Sequence, residues 1–153
     1  MLPHRSLEGP RIVLVAASTL LIELIASLGD GPLDVGLHAF VQITARTSLI
    51  WFVMAFIASP LVTLRPSAPS KWLLRNRRYL GLAMAVSHAG HLIGILTLTA
   101  RHGAAFSTTI AASTAFGGTL GYLLLAAMTA TSTERGVAWL GRGRWRTLHR
   151  TGM

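Results

Sequence analysis

Cysteine is absent from the 153 residues. That excludes disulfides, thiol nucleophiles, Cys-ligated zinc and iron–sulfur clusters held by this chain. Charge is also scarce. Asp, Glu, Lys and Arg together make up 12% of the sequence, about half the share in a typical soluble domain. Acid is scarcest of all, with five Asp and Glu against fourteen Lys and Arg and a formal net charge of +9. So few polar groups cannot cover the surface of a soluble domain. The bases fall in short clusters between apolar runs and not over one water-exposed patch, which argues against a nucleic-acid binder. Strand-type alternation is missing, so the pattern is not that of a β-barrel. There is no Ser–His–Asp order, no paired carboxylates and no phosphate-binding glycine loop. A dinucleotide fingerprint is missing too, so these residues hold no NAD or FAD domain.

What is abundant is apolar: 52% of the residues, with fifteen glycines besides. Four long runs stand out, at about 12–29, 47–64, 79–100 and 104–131. A helix needs about 20 apolar residues to cross a ~30 Å hydrocarbon core, and all four runs are near or above that length. The first run has a basic flank in Arg5 and Arg11. Its length, its internal Glu23 and the lack of a small-x-small cleavage site mark it as a retained span, not a signal peptide. The expected fold is an all-α membrane protein, one domain over 1–153, built as a bundle of four transmembrane helices. A basic tail at 132–153 carries Trp139 and Trp145 among arginines. It reads as interfacial, with tryptophans at headgroup level and arginines on anionic lipid.

Charge sets the expected orientation. The N-terminal segment carries Arg5 and Arg11; the loop after the second run carries Arg65, Lys71, Arg75, Arg77 and Arg78; the tail carries Arg135, Arg142, Arg144, Arg146 and Arg150. Twelve of the fourteen bases thus share one side, and Arg46 and Arg101 sit on the other near Asp30 and Asp34. The positive-inside rule then places both termini in the cytoplasm.

Ionisable groups at membrane depth are costly and point to function. There are three: Glu23, His88 and His91. His88 and His91 are three residues apart, on neighbouring faces of one helix near its middle. Neutral imidazole is a good haem ligand, and its second nitrogen can be held by a backbone carbonyl. A plain hydrogen bond to a neighbouring Ser, Thr or carbonyl explains such histidines equally well. Glu23, at a depth similar to His91, can accept from His88 or His91, sit beside a Ser or Thr, or carry protons. Gly90 and Gly94 frame His91 in a G-x-x-x-G pattern that Gly117 and Gly121 repeat. Such a pattern admits close helix packing or a flat macrocycle. Pro60 is expected to kink or end its helix. Ser107, Thr108, Thr109, Ser113, Thr114 and Thr119 can bond back to their own helix.

Several segments together carry a family resemblance. Arg77-Arg78-Tyr79-Leu80-Gly81-Leu82 is followed nine residues later by His91. Upstream, Arg46-Thr47-Ser48 opens a run that ends Ser59-Pro60-Leu61. Downstream come Thr131-Ser132 and then Gly143-Arg144-Trp145-Arg146-Thr147-Leu148-His149-Arg150. In this order, over residues 46–150, they resemble the ferric reductase-like transmembrane family, most nearly the haem-binding membrane subunit of the bacterial methionine sulfoxide reductase system (the YedZ/MsrQ type). Ser87 and Gly90 depart from that pattern, where Tyr and Leu are usual.

The resemblance implies a multi-pass inner-membrane protein that binds haem b. It would pass electrons from a cytoplasmic flavin reductase (with FMN) or from quinol to a periplasmic acceptor, as a component of an oxidoreductase and not a complete enzyme. His91 matches the family's third-helix haem histidine, and His149 the histidine that opens the next helix. His88 is a further candidate for the iron, and His102, fourteen residues on, is a weak one. Arg46, Arg77 and Arg78, near the membrane faces, are candidates to pair with haem propionates, and the inner-loop arginines to dock an acidic reductase partner. Relative to the family the chain reads as C-terminally truncated, without its last helices. Two other functions fit the residues: a haem-free accessory or assembly subunit, and a proton- or solute-handling bundle built on Glu23 with His88 and His91.

Overall fold

The computed structural model describes residues 7–29, 31–103 and 111–151, with Thr151 as backbone only. Among the described residues the element order is six helices: α1 (Pro10–Leu28), α2 (Leu33–Leu64), α3 (Ala68–His102), α4 (Ala112–Ala130), α5 (Glu134–Leu140) and α6 (Arg142–Thr151). The described residues contain no strand. The first four helices are each long and apolar enough to cross a membrane. Arg5, Asp30, Ser107, Thr108 and Thr109 lie outside the described residues, as does the start of the fourth expected span.

Two helices are longer than the apolar runs that announced them. α2 begins at Leu33, fourteen residues before Thr47, and α3 begins at Ala68, not Tyr79. At about 1.5 Å per residue they extend roughly 48 and 52 Å, well beyond a ~30 Å hydrocarbon core. The hydropathy of α2 drops over its first half because Asp34, His38, Gln42 and Arg46 recur there. Their four-residue spacing puts all four on one stripe of the helix. Leu37, Phe40 and Thr44 lie behind that stripe and are buried. The segment is an amphipathic helix, not a loop.

Helix ends follow from local chemistry. Pro10 opens α1 at its first turn, where a missing N–H costs nothing. Gly9, at φ 63°, donates its N–H to Asn76 Oδ1 on α3 at 2.9 Å. Asp34 lies in the first turn of α2, where the helix dipole favours an acid. Pro60 sits inside α2, which ends four residues later at Leu64. Ser67 and Ser70 then cap α3 reciprocally: Ser67 N–H donates to Ser70 Oγ at 2.9 Å, and Ser70 N–H to Ser67 Oγ at 3.3 Å. Gly103, at φ 57°, closes α3 in the left-handed conformation.

The chain divides into two compact units after Leu98. In the first, α1, α2 and α3 pack through small residues. Ala16, Ala55, Ala58 and Ala83 are buried, as are Gly36, Gly90 and Gly94. Large side chains such as Leu14, Ile22, Ile50, Phe56 and Ile93 face outward. In water that outer surface would be a large exposed apolar patch. In lipid, where apolar burial drives nothing, close backbone approach and interhelical hydrogen bonds hold helices together. A Cβ on Gly36 would run into the Ser27 carbonyl oxygen, which fixes how tightly α1 turns into α2. The second unit is α4 with α5 and α6 folded back on its C-terminal end. Thr133 caps α5 by accepting from Gly136 N–H at 3.1 Å, and Gly141, at φ 79°, turns the chain into α6.

Candidate functional site

α3 lies along α2 through a polar seam. Starting from the loop end, Arg77 Nε donates to the Ala55 carbonyl at 3.1 Å and Nη1 to Ser59 Oγ at 3.1 Å. Further along, His88 Nδ1 is 3.0 Å from Ser48 Oγ. Ser87 Oγ reaches the Thr44 carbonyl at 3.4 Å. His91 Nδ1 is 2.9 Å from the Val41 carbonyl.

These contacts set the tautomers. A carbonyl only accepts, so His91 Nδ1 must carry the hydrogen. In a neutral ring that leaves Nε2 with its lone pair. The bond to Val41 is the single hydrogen bond of His91 among the described residues. Ser48 Oγ donates its own hydrogen to Ala45 O at 2.9 Å, so it receives from His88 Nδ1–H. Both rings are thus held to α2 through Nδ1, and for His91 this leaves Nε2 as the lone-pair atom, which is how ligating histidines are usually oriented. The two rings stack with centroids 5.2 Å apart and planes 24° apart. Rings stacked face to face are not placed end to end, so their Nε2 atoms do not converge on one point from opposite sides.

Glu23 projects from α1 against the same stretch of α2. It is 7% exposed. Its Oε1 accepts a hydrogen bond from Thr47 Oγ1. Its Oε2 is buried without a hydrogen-bond partner among the described residues, as is the indole Nε1 of Trp51 one turn further along α2. Of the partners open to Glu23 in the sequence, the structure supplies the threonine and neither histidine. Thr47 and Ser48 are adjacent, so Glu23 and His88 contact α2 at the same height from different sides.

Gly90 and Gly94 of α3 serve helix packing. A Cβ on Gly90 would run into Leu20 of α1, and one on Gly94 would lie 2.6 Å from Val41 Cγ2 and 3.2 Å from Phe40 Cδ1 of α2. The clearance beside His91 on those faces is filled by protein, so a macrocycle would have to approach from elsewhere. Gly117 and Gly121 on α4 have no neighbour within 4 Å among the described residues. On α4, Thr119 bonds back to the Ala115 carbonyl at 2.8 Å.

The remaining candidates are spread out. Arg46 is exposed, on the outward side of α2 and one residue from Thr47. It stands well inside the helix, level with Glu23 and His88, and not at a helix end as the apolar run had implied. Arg78 is exposed, 5.9 Å from the ring centre of Tyr79. His102 is exposed in the last turn of α3. In the second unit His149 stacks on Trp145 with centroids 4.4 Å apart, and its Nε2 lies 3.2 Å from Thr131 Oγ1. That hydroxyl donates within α4, to Ala127 O at 2.7 Å, so it receives from His149 Nε2–H. Among the described residues no three His, Cys, Asp or Glu side chains gather to hold a bare metal ion.

The α2 side of the seam has no signal of its own in the sequence. Thr47 and Ser48 figure in the sequence only as the opening of the second run, Thr44 lies before that run, and Val41 contributes only its backbone. The Asp34–His38–Gln42–Arg46 stripe does have a signal in its four-residue period, but it too lies before that run. Asp34, His38 and Gln42 line a shallow groove with Val35 and Ala39. The chain matches no family model, no curated protein and no solved structure.

Proposed function

We propose that the chain is a haem b-binding electron-transfer subunit of the inner membrane, with His91 supplying an axial nitrogen to the iron. One observation carries this reading: the Val41 carbonyl holds His91 Nδ1–H at 2.9 Å and so reserves Nε2 as a lone-pair donor inside an apolar bundle. The fit is partial but specific. A haem needs only one or two protein ligands, whereas a bare metal ion needs more than the described residues gather. Haem bound there would supply one-electron transfer between two iron oxidation states.

The residues around it do the rest. Val41 and Ser48 orient the two imidazoles, and the surrounding apolar side chains exclude water and keep the local dielectric low. Stacked as they are, His88 and His91 would not hold one iron together, so any second ligand would come from another element or chain. The positive-inside arrangement supports cytoplasmic termini, with a flavin reductase or quinol as electron source on that side and an extracytoplasmic acceptor on the other. Arg77, Arg78 and Arg46 remain the candidates for propionate pairing. The test is haem analysis of protein purified from haem-replete cells, with a reduced-minus-oxidised absorption spectrum. A b-type α band at close to stoichiometric haem supports the proposal. Purification without haem overturns it and favours an accessory or assembly subunit.

A second reading rests on Glu23. A carboxyl group this buried, with one oxygen lacking a partner among the described residues, is a costly thing to keep within a span. It favours a proton- or solute-handling bundle. A Glu23→Gln variant that alters proton or solute flux in proteoliposomes and leaves haem content unchanged would establish that reading.

A further inference from the structure

The arginines of the second unit are arranged, not merely abundant. Trp145 Nε1 donates to the Thr131 carbonyl at 3.0 Å, and His149 Nε2 to Thr131 Oγ1 at 3.2 Å. One residue, the first after α4, thus clamps two side chains of α6 and fixes the helix's rotation. With Trp145, Leu148 and His149 turned inward, the helical period of about 100° per residue decides where the others point. Arg142, Arg146 and Arg150, each four residues from the next, form one row, and Arg144 lies on the other flank. All four are exposed, as is Arg135 on α5. Trp139 on α5 is 82% exposed. Glu134 is the one acid in the two helices, and none of these arginines is in an ion pair among the described residues.

We infer that the Arg142–Arg146–Arg150 row binds the phosphate groups of anionic phospholipids, with Trp139 at headgroup level. Guanidinium forks pair bidentately with phosphate oxygens. Rows spaced about 6 Å apart along a helix meet successive headgroups. An exposed tryptophan among arginines also suits single-stranded nucleic acid. Connectivity decides for lipid: the clamp ties the row to the end of α4, a helix long and apolar enough to cross a membrane. The site is independent of any haem.

The experiment is native mass spectrometry of the full chain in detergent, titrated with phosphatidylglycerol and phosphatidylcholine in competition. The wild type is expected to prefer phosphatidylglycerol. The R142Q/R146Q/R150Q variant is expected to lose about a hundredfold of that preference, with helix content by circular dichroism unchanged. The R142K/R146K/R150K variant keeps the charge and is expected to retain most of it. The proposal is overturned if the wild type shows no preference, if the glutamine variant keeps it, if the lysine variant loses it as fully as the glutamine variant, or if oligouridine RNA binds the row more tightly than phosphatidylglycerol.

Discussion

Replacing Thr47 with valine deletes one hydroxyl and little else. That hydroxyl is the hydrogen-bond donor to Glu23 Oε1, and Glu23 Oε2 has no hydrogen-bond partner among the described residues. The Thr47→Val variant therefore leaves a buried carboxyl group with nothing to bond. An interhelical hydrogen bond in a membrane is worth about 0.6 kcal/mol on average and up to ~1.7. Orphaning a buried polar group costs about 1–3 kcal/mol. The expected destabilisation is about 2 kcal/mol, roughly a thirtyfold change in the unfolding equilibrium. Glu23→Met behaves differently. It removes the carboxyl together with its orphaned oxygen, and Thr47 can bond back to its own helix, so stability is expected to be unchanged or higher. The E23M/T47V double variant is expected to match E23M, giving a coupling of about 2 kcal/mol between the positions. Steric-trapping unfolding of the protein in bicelles reads all four corners of this cycle. A T47V variant as stable as the wild type, or additive effects, would show that the Thr47 hydroxyl does not hold Glu23. If E23M proves more stable, the carboxyl is kept at a cost to stability, which is the expectation for a functional group.

Other outcomes follow from the packing. Gly36→Ala drives a Cβ into the backbone oxygen of Ser27, which cannot swing aside, whereas Gly90→Ala meets only the flexible end of Leu20. G36A should cost about 2–3 kcal/mol and G90A less than about 1, by the same unfolding assay; a reversed order would contradict the α1–α2 geometry. Ser48→Ala removes the acceptor for His88 Nδ1–H and should cost about 1 kcal/mol while leaving any haem α band in place, since His91 is held by backbone. Thr131→Val removes the acceptor of His149 and should raise protease susceptibility between α5 and α6 with the helices of the first unit still protected; uniform susceptibility would place the clamp elsewhere.

The sequence alone conveyed the helical class and the four candidate spans, because composition and run length report directly on the solvent a helix can tolerate. It did not convey where α2 begins. A sliding window averages all faces of a helix, so the outward stripe of Asp34, His38, Gln42 and Arg46 masked the buried face of Leu37, Phe40 and Thr44. His88 and His91 were recognisable as the residues to watch, since two imidazoles in one uncharged span need partners. Their partners were not recognisable. Val41 offers only its carbonyl, which every residue has. Ser48 is one hydroxyl among many, and its pairing with His88 depends on the antiparallel register of α2 and α3. The same holds for Glu23: its cost was evident from depth, but the choice of Thr47 over a histidine is a matter of which face of α1 meets α2. His149 was visible as a candidate, but not its engagement with Thr131, which comes from the fold-back of α6 onto the end of α4.

If His91 Nε2 binds haem iron as proposed, chemical rescue by imidazole reads that nitrogen. In haem-replete membranes the His91→Gly variant should lose the b-type α band of the reduced-minus-oxidised spectrum, and added imidazole should restore it, while His88→Gly keeps the band throughout. A band that survives in His91→Gly without imidazole, or that disappears in His88→Gly instead, would contradict the assignment.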